Sequence, residues 1–120
     1  MIMLTAAQVK ELTAIAKAMS FTVITVQHNA LVLKATKGSE TFHYNPYNSD
    51  RDAYTTAMAF GINTKTHYRD IVEVEIFFGS IAGKTYSAKL NKKHTIEDRM
   101  VAMRQLIVKA AFSASKEGLV

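Results

Sequence analysis

The 120-residue chain has no cysteine. That absence removes a disulfide scaffold, a thiolate metal site, an iron–sulfur cluster and a cysteine nucleophile. Proline occurs once, at Pro46, and the five glycines all fall at expected turns or helix ends. The sequence therefore holds no phosphate loop, no dinucleotide fingerprint and no Gly-x-Ser-x-Gly elbow. No apolar run approaches the ~20 residues of a membrane span, and Met1–Leu4 lacks the charged start of a signal peptide. The expectation is a soluble, cytosolic protein with no membrane partner. Repeats, low-complexity runs and linkers are also lacking, so residues 1–120 are expected to form one domain. With 48% apolar and 21% charged residues the composition is globular.

What the chain does have is a modest basic excess, +5, placed unevenly. Residues 1–60 carry five basic and four acidic groups, and residues 61–120 carry ten and six. Most of the surplus falls between Lys84 and Lys109, where Lys92, Lys93, Arg99 and Arg104 stand close together in sequence. Such a stripe attracts phosphate, and equally it could be a solvated face. It excludes a DNA mimic, which needs a dense acidic surface.

The hydropathy pattern gives the elements. Thr5-x-x-Gln8 is a capping box ahead of an apolar stripe at Val9, Leu12, Ile15, Ala16 and Met19, which predicts a helix over 5–19. The β-branched run Phe21–Gln27, a turn at His28-Asn29, an alternating run Ala30–Thr36, a turn at Lys37-Gly38-Ser39 and a strand Glu40–Tyr44 read as a meander. Pro46 stops it, Ser49-x-x-Asp52 caps a second helix over 50–60, and Gly61 ends that helix. Ile71–Phe78 alternates Glu73 and Glu75 against Val72, Val74 and Ile76. A turn at Gly79–Gly83, a strand Lys84–Leu90 and a long helix capped by Thr95-x-x-Asp98 and ended by Gly118 complete the chain. The expected fold is α+β, single domain, in the order α-βββ-α-ββ-α, with one antiparallel sheet of about five strands and helices packed on one face.

Three groups of residues are candidates for chemistry. The aromatic and amide-rich loop Phe42–Asp50, with His43, Asn45, Tyr47 and Asn48, has the composition of a stacking and hydrogen-bonding surface, to which Tyr68 and Arg69 would add. Lys92, Lys93 and His94 just ahead of a helix start, with Arg99 in its first turn, fit an anion-binding turn. Asp50, Asp52 and Asp70 could be imagined around Mg²⁺, although both residues of the Asp50-x-Asp52 pair also read simply as helix caps. The four histidines show no metal-ligand spacing, so no metal and no cofactor are expected.

The run Tyr44-Asn45-Pro46-Tyr47-Asn48-Ser49-Asp50-Arg51-Asp52-Ala53, followed by Ala57, Phe60-Gly61-Ile62 and an Ala-rich closing helix, resembles a group of small tailed-phage accessory proteins. The likeness covers residues 42–62 and, more loosely, 96–114. It implies a non-enzymatic phage product in the host bacterial cytoplasm, acting by binding. In its most concrete form this is an inhibitor of a bacterial anti-phage defence system that contacts a host or defence-system protein. Two other readings stay open: a nucleic-acid or nucleotide binder, with Lys92, Lys93, His94 and Arg99 on phosphate and Tyr47 or Tyr68 on a base, and a small metal-dependent nuclease. A homodimer paired through the alternating strand Lys84–Leu90 is a further expectation.

Overall fold

The computed structural model describes residues 3–35, 40–78 and 81–117. The turn expected at Lys37-Gly38-Ser39, the glycines Gly79 and Gly118, and the side chain of Tyr68 lie outside the described residues. Helix α1 (Ala6–Ala18) begins as its sequence dictates. The Thr5 hydroxyl accepts the Gln8 amide at 3.1 Å and the Gln8 side chain accepts the Thr5 amide at 3.0 Å. Its stripe puts Leu12, Ile15 and Ala16 wholly out of water.

Strands β1 (Thr22–Gln27), β2 (Ala30–Lys34) and β3 (Thr41–Tyr44) form an antiparallel sheet in chain order. The β1–β2 turn places both His28 (φ 51°) and Asn29 (φ 64°) in the left-handed region, the geometry of a two-residue hairpin whose twist matches its strands. Leu31 and Leu33 are buried on one face of β2, while Lys34 is exposed. Helix α2 (Asp50–Phe60) is capped by Ser49 and closed by Gly61 at φ 67°. Outside its own stretch of backbone, no neighbour comes within 4 Å of where a Gly61 Cβ would lie, so backbone conformation rather than space selects the glycine.

A second antiparallel sheet follows, β4 (Ile62–Tyr68), β5 (Ile71–Phe78) and β6 (Ile81–Lys89), again in chain order. Helix α3 (Ile96–Lys116) closes the fold. The order is therefore α-βββ-α-βββ-α in two three-stranded sheets, in place of the expected five-strand sheet. The strand not expected is β4, and since among the described residues β3 does not pair with any strand of the second group, the six strands form two sheets rather than one. The β4 sequence INTKTHY has one buried apolar residue, Ile62, so it lacks the alternation that betrays a half-buried strand. Register with β5 holds it instead, together with the Lys65–Glu75 ion pair at 2.7 Å. Gly83, expected in a turn, lies inside β6, where a Cβ would stand 2.5 Å from the Ile76 carbonyl oxygen.

α3 is the shared element: it packs on α1, on α2 and on all three strands of the second sheet. Its alanines Ala102, Ala110, Ala111 and Ala114 are buried and allow close approach. Val72, Val74 and Ile76 of β5 complete one continuous core with Leu12, Ile15, Leu31, Leu33 and Val108. The molecule is flattened, with extents of 44 × 40 × 22 Å. No helix among the described residues is long and apolar enough to cross a membrane. Both β1 and β6 are edge strands, so the strand expected to mediate a homodimer does present an edge.

One buried cation ties α3 to the segment before α2. Arg104 donates from Nε to the Tyr47 carbonyl at 2.8 Å and from Nη1 to Asp50 at 2.7 Å, with Glu97 3.7 Å from Nη2. Its side chain is only 9% exposed, whereas Asp50 and Glu97 are 57% and 71% exposed. Replacing Arg104 by Met keeps the packing volume but leaves the Tyr47 carbonyl without its donor. We expect a loss of about 2 kcal/mol, read as a fall in Tm of about 5–10 °C by circular dichroism.

Candidate anion-binding site

The loop 45–49 is built from the inside. Asn45 is buried, and all of its polar groups are used. Its amide N–H donates to Asp52 Oδ2 at 2.9 Å, and its Nδ2 donates to the Asn29 carbonyl at 2.7 Å. Its Oδ1 accepts the Tyr47 amide at 3.0 Å, and its carbonyl accepts the amides of Asn48 and Ser49. The Tyr47 hydroxyl donates to Glu11 on α1 at 2.7 Å. The side chains of Asn45 and Tyr47, expected on a contact surface, thus fasten the loop to the hairpin and to α1. Of the same group His43 and Asn48 remain exposed, His43 lying edge-on to His28 with ring centroids 6.5 Å apart.

Burial dominates the two nearby phenols. It pushes Tyr44 well above the ordinary tyrosine range, helped by the charge of Asp52 and opposed by the hydrogen bond to Thr56. Tyr47 is raised by burial and then by its bond to the Glu11 carboxylate. Of the three carboxylates considered for Mg²⁺, two are engaged elsewhere, Asp50 with Arg104 and Asp52 with the Asn45 amide, and Asp70 lies apart from both in the β4–β5 connection. Among the described residues no group of three or more His, Asp or Glu is placed to hold a metal ion.

The basic residues come together at the opposite end of α2's neighbour β4. The β4–β5 connection carries Arg69, and the β6–α3 connection carries Lys92, Lys93 and His94. The Leu90 amide donates to the Asp70 carbonyl at 2.6 Å and so joins the two connections. Asn91 shapes the second one. Its side chain accepts the Lys93 amide at 3.3 Å, and its carbonyl accepts the His94 amide at 3.0 Å and the His94 Nδ1–H at 2.7 Å. A capping box then starts α3, with Thr95 and Asp98 exchanging bonds of 2.9 and 3.1 Å. One guanidinium nitrogen of Arg99 donates to the Arg69 carbonyl, fixing the first turn of the helix against the β4–β5 connection.

The result is an open cleft of about 370 Å³ lined by Thr66, Arg69, Lys92, His94, Thr95, Ile96 and Arg99. None of these lining residues is acidic. Glu97 and Asp98, the carboxylates of the same helical turn, are drawn away to Arg104 and to the cap. Four of the residues singled out from the sequence, Arg69, Lys92, His94 and Arg99, therefore share one cleft, and Lys93 is exposed on the same turn without lining it. His43, Asn45, Tyr47 and Asn48 belong to a different part of the molecule. Thr66 was missed because the polar strand that carries it was missed. Positive side chains, hydroxyls and a helix start together suit an anion with several oxygens, such as a phosphate.

No protein-family model matches the chain, and no curated protein is significantly similar to it.

The raised phenols set an alkaline limit to stability. Below about pH 10 both folded and unfolded chains keep these protons. Above it the unfolded chain loses them first, so stability falls with rising pH by up to about 1.4 kcal/mol per unit for each fully shifted phenol. Tyr47, the more exposed of the two, contributes less. We expect a flat Tm between pH 7 and 9 and a decline above pH 10. In Tyr44→Phe that decline should be shallower, as measured by thermal melts across the same range.

Proposed function

We propose that the protein acts by binding, without catalysis of its own, and that its ligand is the phosphate backbone of a nucleic acid held by Arg69, Lys92, His94 and Arg99. The observation that carries this is the convergence of those four residues, from two connections more than twenty positions apart and from the first turn of α3, on one cleft without a carboxylate in its lining. A single basic helix face would be satisfied by water. Arg69, Lys92 and Arg99, gathered from separate segments, repel one another, so the arrangement is offset only by an anion or by solvent screening. Nucleic acid is favoured over a free nucleotide because the cleft is open and Lys93 extends its positive charge along the surface.

A second reading, a phage accessory protein that blocks a host or defence-system protein, draws on a different observation. Ile24 and Val26 on the edge strand β1 stay about half exposed at 52% and 46%. Such an edge suits the addition of a partner strand. Salt separates the two, since phosphate contacts weaken steeply with ionic strength and an apolar strand edge does not.

The test is fluorescence anisotropy of a labelled 12-nucleotide strand and of its duplex between 50 and 200 mM NaCl. With about three phosphates neutralised on a single strand, log K should fall with a slope near −2 against log salt, roughly a 15-fold weakening over that range. Lys92→Ala should lower the affinity and reduce the slope by about one. Affinity that ignores salt, or no binding to either form, would defeat the proposal.

A further inference from the structure

Beside the basic cleft runs an apolar groove of about 290 Å³ whose walls are α2, β4 and α3. The two are neighbours along one seam. Thr64 lines the groove and Thr66, two residues on, lines the cleft. On α3, Ile96 lines the cleft, while Met100 and Met103, one and two turns further, line the groove. The groove's most prominent side chains, Tyr54 and Met58 of α2, are each 68% exposed, and Ile96 at the junction is 77% exposed. Burial on folding does not account for a tyrosine, two methionines and an isoleucine left open side by side.

From this continuity we infer that the ligand is single-stranded, with phosphates on the Arg69–Arg99 side and bases lying against Tyr54, Met58 and Met100. The inference rests on the phosphate-binding reading above and names the form of nucleic acid that fits it. Tyr54 offers a ring face on which any base stacks, and thioethers make soft contacts with aromatic edges. From Ile96 to Met103 α3 rises about 10 Å, enough for about three bases at about 3.4 Å each. Polarity across the seam is set by charge. At the groove end Asp50 and Glu97 both lean on Arg104, two carboxylates to one guanidinium, so phosphates are repelled there and drawn to the other side. A duplex keeps its base faces stacked inside and leaves the groove empty.

The chain has no tryptophan, so Tyr54→Trp introduces a single reporter at the stacking position. Its fluorescence should be quenched by an unlabelled 12-nucleotide thymidine strand and left unchanged by a duplex of the same length. Tyr54→Ala should weaken single-strand binding about tenfold with the salt slope unaltered, and should leave duplex binding as it was. Because Tyr54 is largely exposed, both variants should keep the parent Tm, which confirms that they are folded. Equal affinity for strand and duplex with no quenching would overturn the groove inference while leaving phosphate binding intact, whereas no binding of either would end both. Quenching by anionic phospholipid vesicles but not by the strand would assign the seam to a lipid. Concentration-dependent dimerisation abolished by Tyr54→Ala would assign the groove to a second copy. Either result would overturn it.

Discussion

A single buried guanidinium sets the geometry of this molecule. Arg104 sits on α3, the helix that packs on α1, on α2 and on all three strands of the second sheet, and it holds a backbone carbonyl and a carboxylate from a segment more than fifty residues earlier. A charge with 9% of its surface in water is costly to desolvate and persists only when its donors are answered. Here they are answered by groups that remain largely wet. Asp50 and Glu97 keep most of their hydration, so the pair escapes the double penalty of two buried ions. The protein gains direction from this arrangement more than raw stability. Because Tyr47 and Asp50 are fixed, the start of α2 is fixed, and with it the position of Tyr54 and Met58 one and two turns later.

Asn45 extends the same constraint to the other side of the loop. Its backbone N–H reaches Asp52 in the first turn of α2, and the two ends of its side-chain amide reach the β1–β2 hairpin and the Tyr47 amide. Tyr47 adds α1 through Glu11. Polar groups buried this completely act as specifiers: each is satisfied only when hairpin, loop and helices adopt one mutual arrangement. The apolar core would tolerate some sliding of α2 on α3, since small residues on both surfaces offer few interlocking ridges. The hydrogen bonds do not tolerate it.

How far the sequence discloses this depends on the range of the interaction. Short-range rules are legible, because the atoms that enforce them lie within four residues. The Thr5, Ser49 and Thr95 caps, the His28-Asn29 turn and the Gly61 stop all stand where local chemistry puts them. β4 is not legible, because its stability comes from register with β5 and a cross-strand ion pair ten residues away, neither of which leaves a periodic trace. The loop 42–50 shows the same limit differently. Its amide and aromatic composition is conspicuous, but composition cannot say whether such groups face inward or outward, and Asn45 and Tyr47 face partners in their own chain. The basic turn is legible as a charge cluster. Its completion by Arg69 required knowing that the β4–β5 and β6–α3 connections meet, a fact carried by the Leu90 amide and the Asp70 carbonyl.

The net charge of +5 explains little of this, since at physiological ionic strength a charge is felt over about 8 Å. What matters is where the carboxylates are spent. Asp50 and Glu97 neutralise Arg104, Glu75 neutralises Lys65, Glu117 stands by Lys84, Glu11 accepts from Tyr47, and Asp52 and Asp98 serve backbone amides. Seven of the ten acidic residues are thereby directed to partners outside the cleft lining. Arg99 and Arg104 illustrate the division. Five residues apart on one helix, they point about 140° away from each other. One is sunk between carboxylates and organises the fold. The other braces the Arg69 connection and lines the cleft, where none of the lining residues is acidic. A mildly basic protein thus acquires a locally strong positive site by routing its negative charges elsewhere, and the fold that does the routing also sets the open apolar groove beside that site.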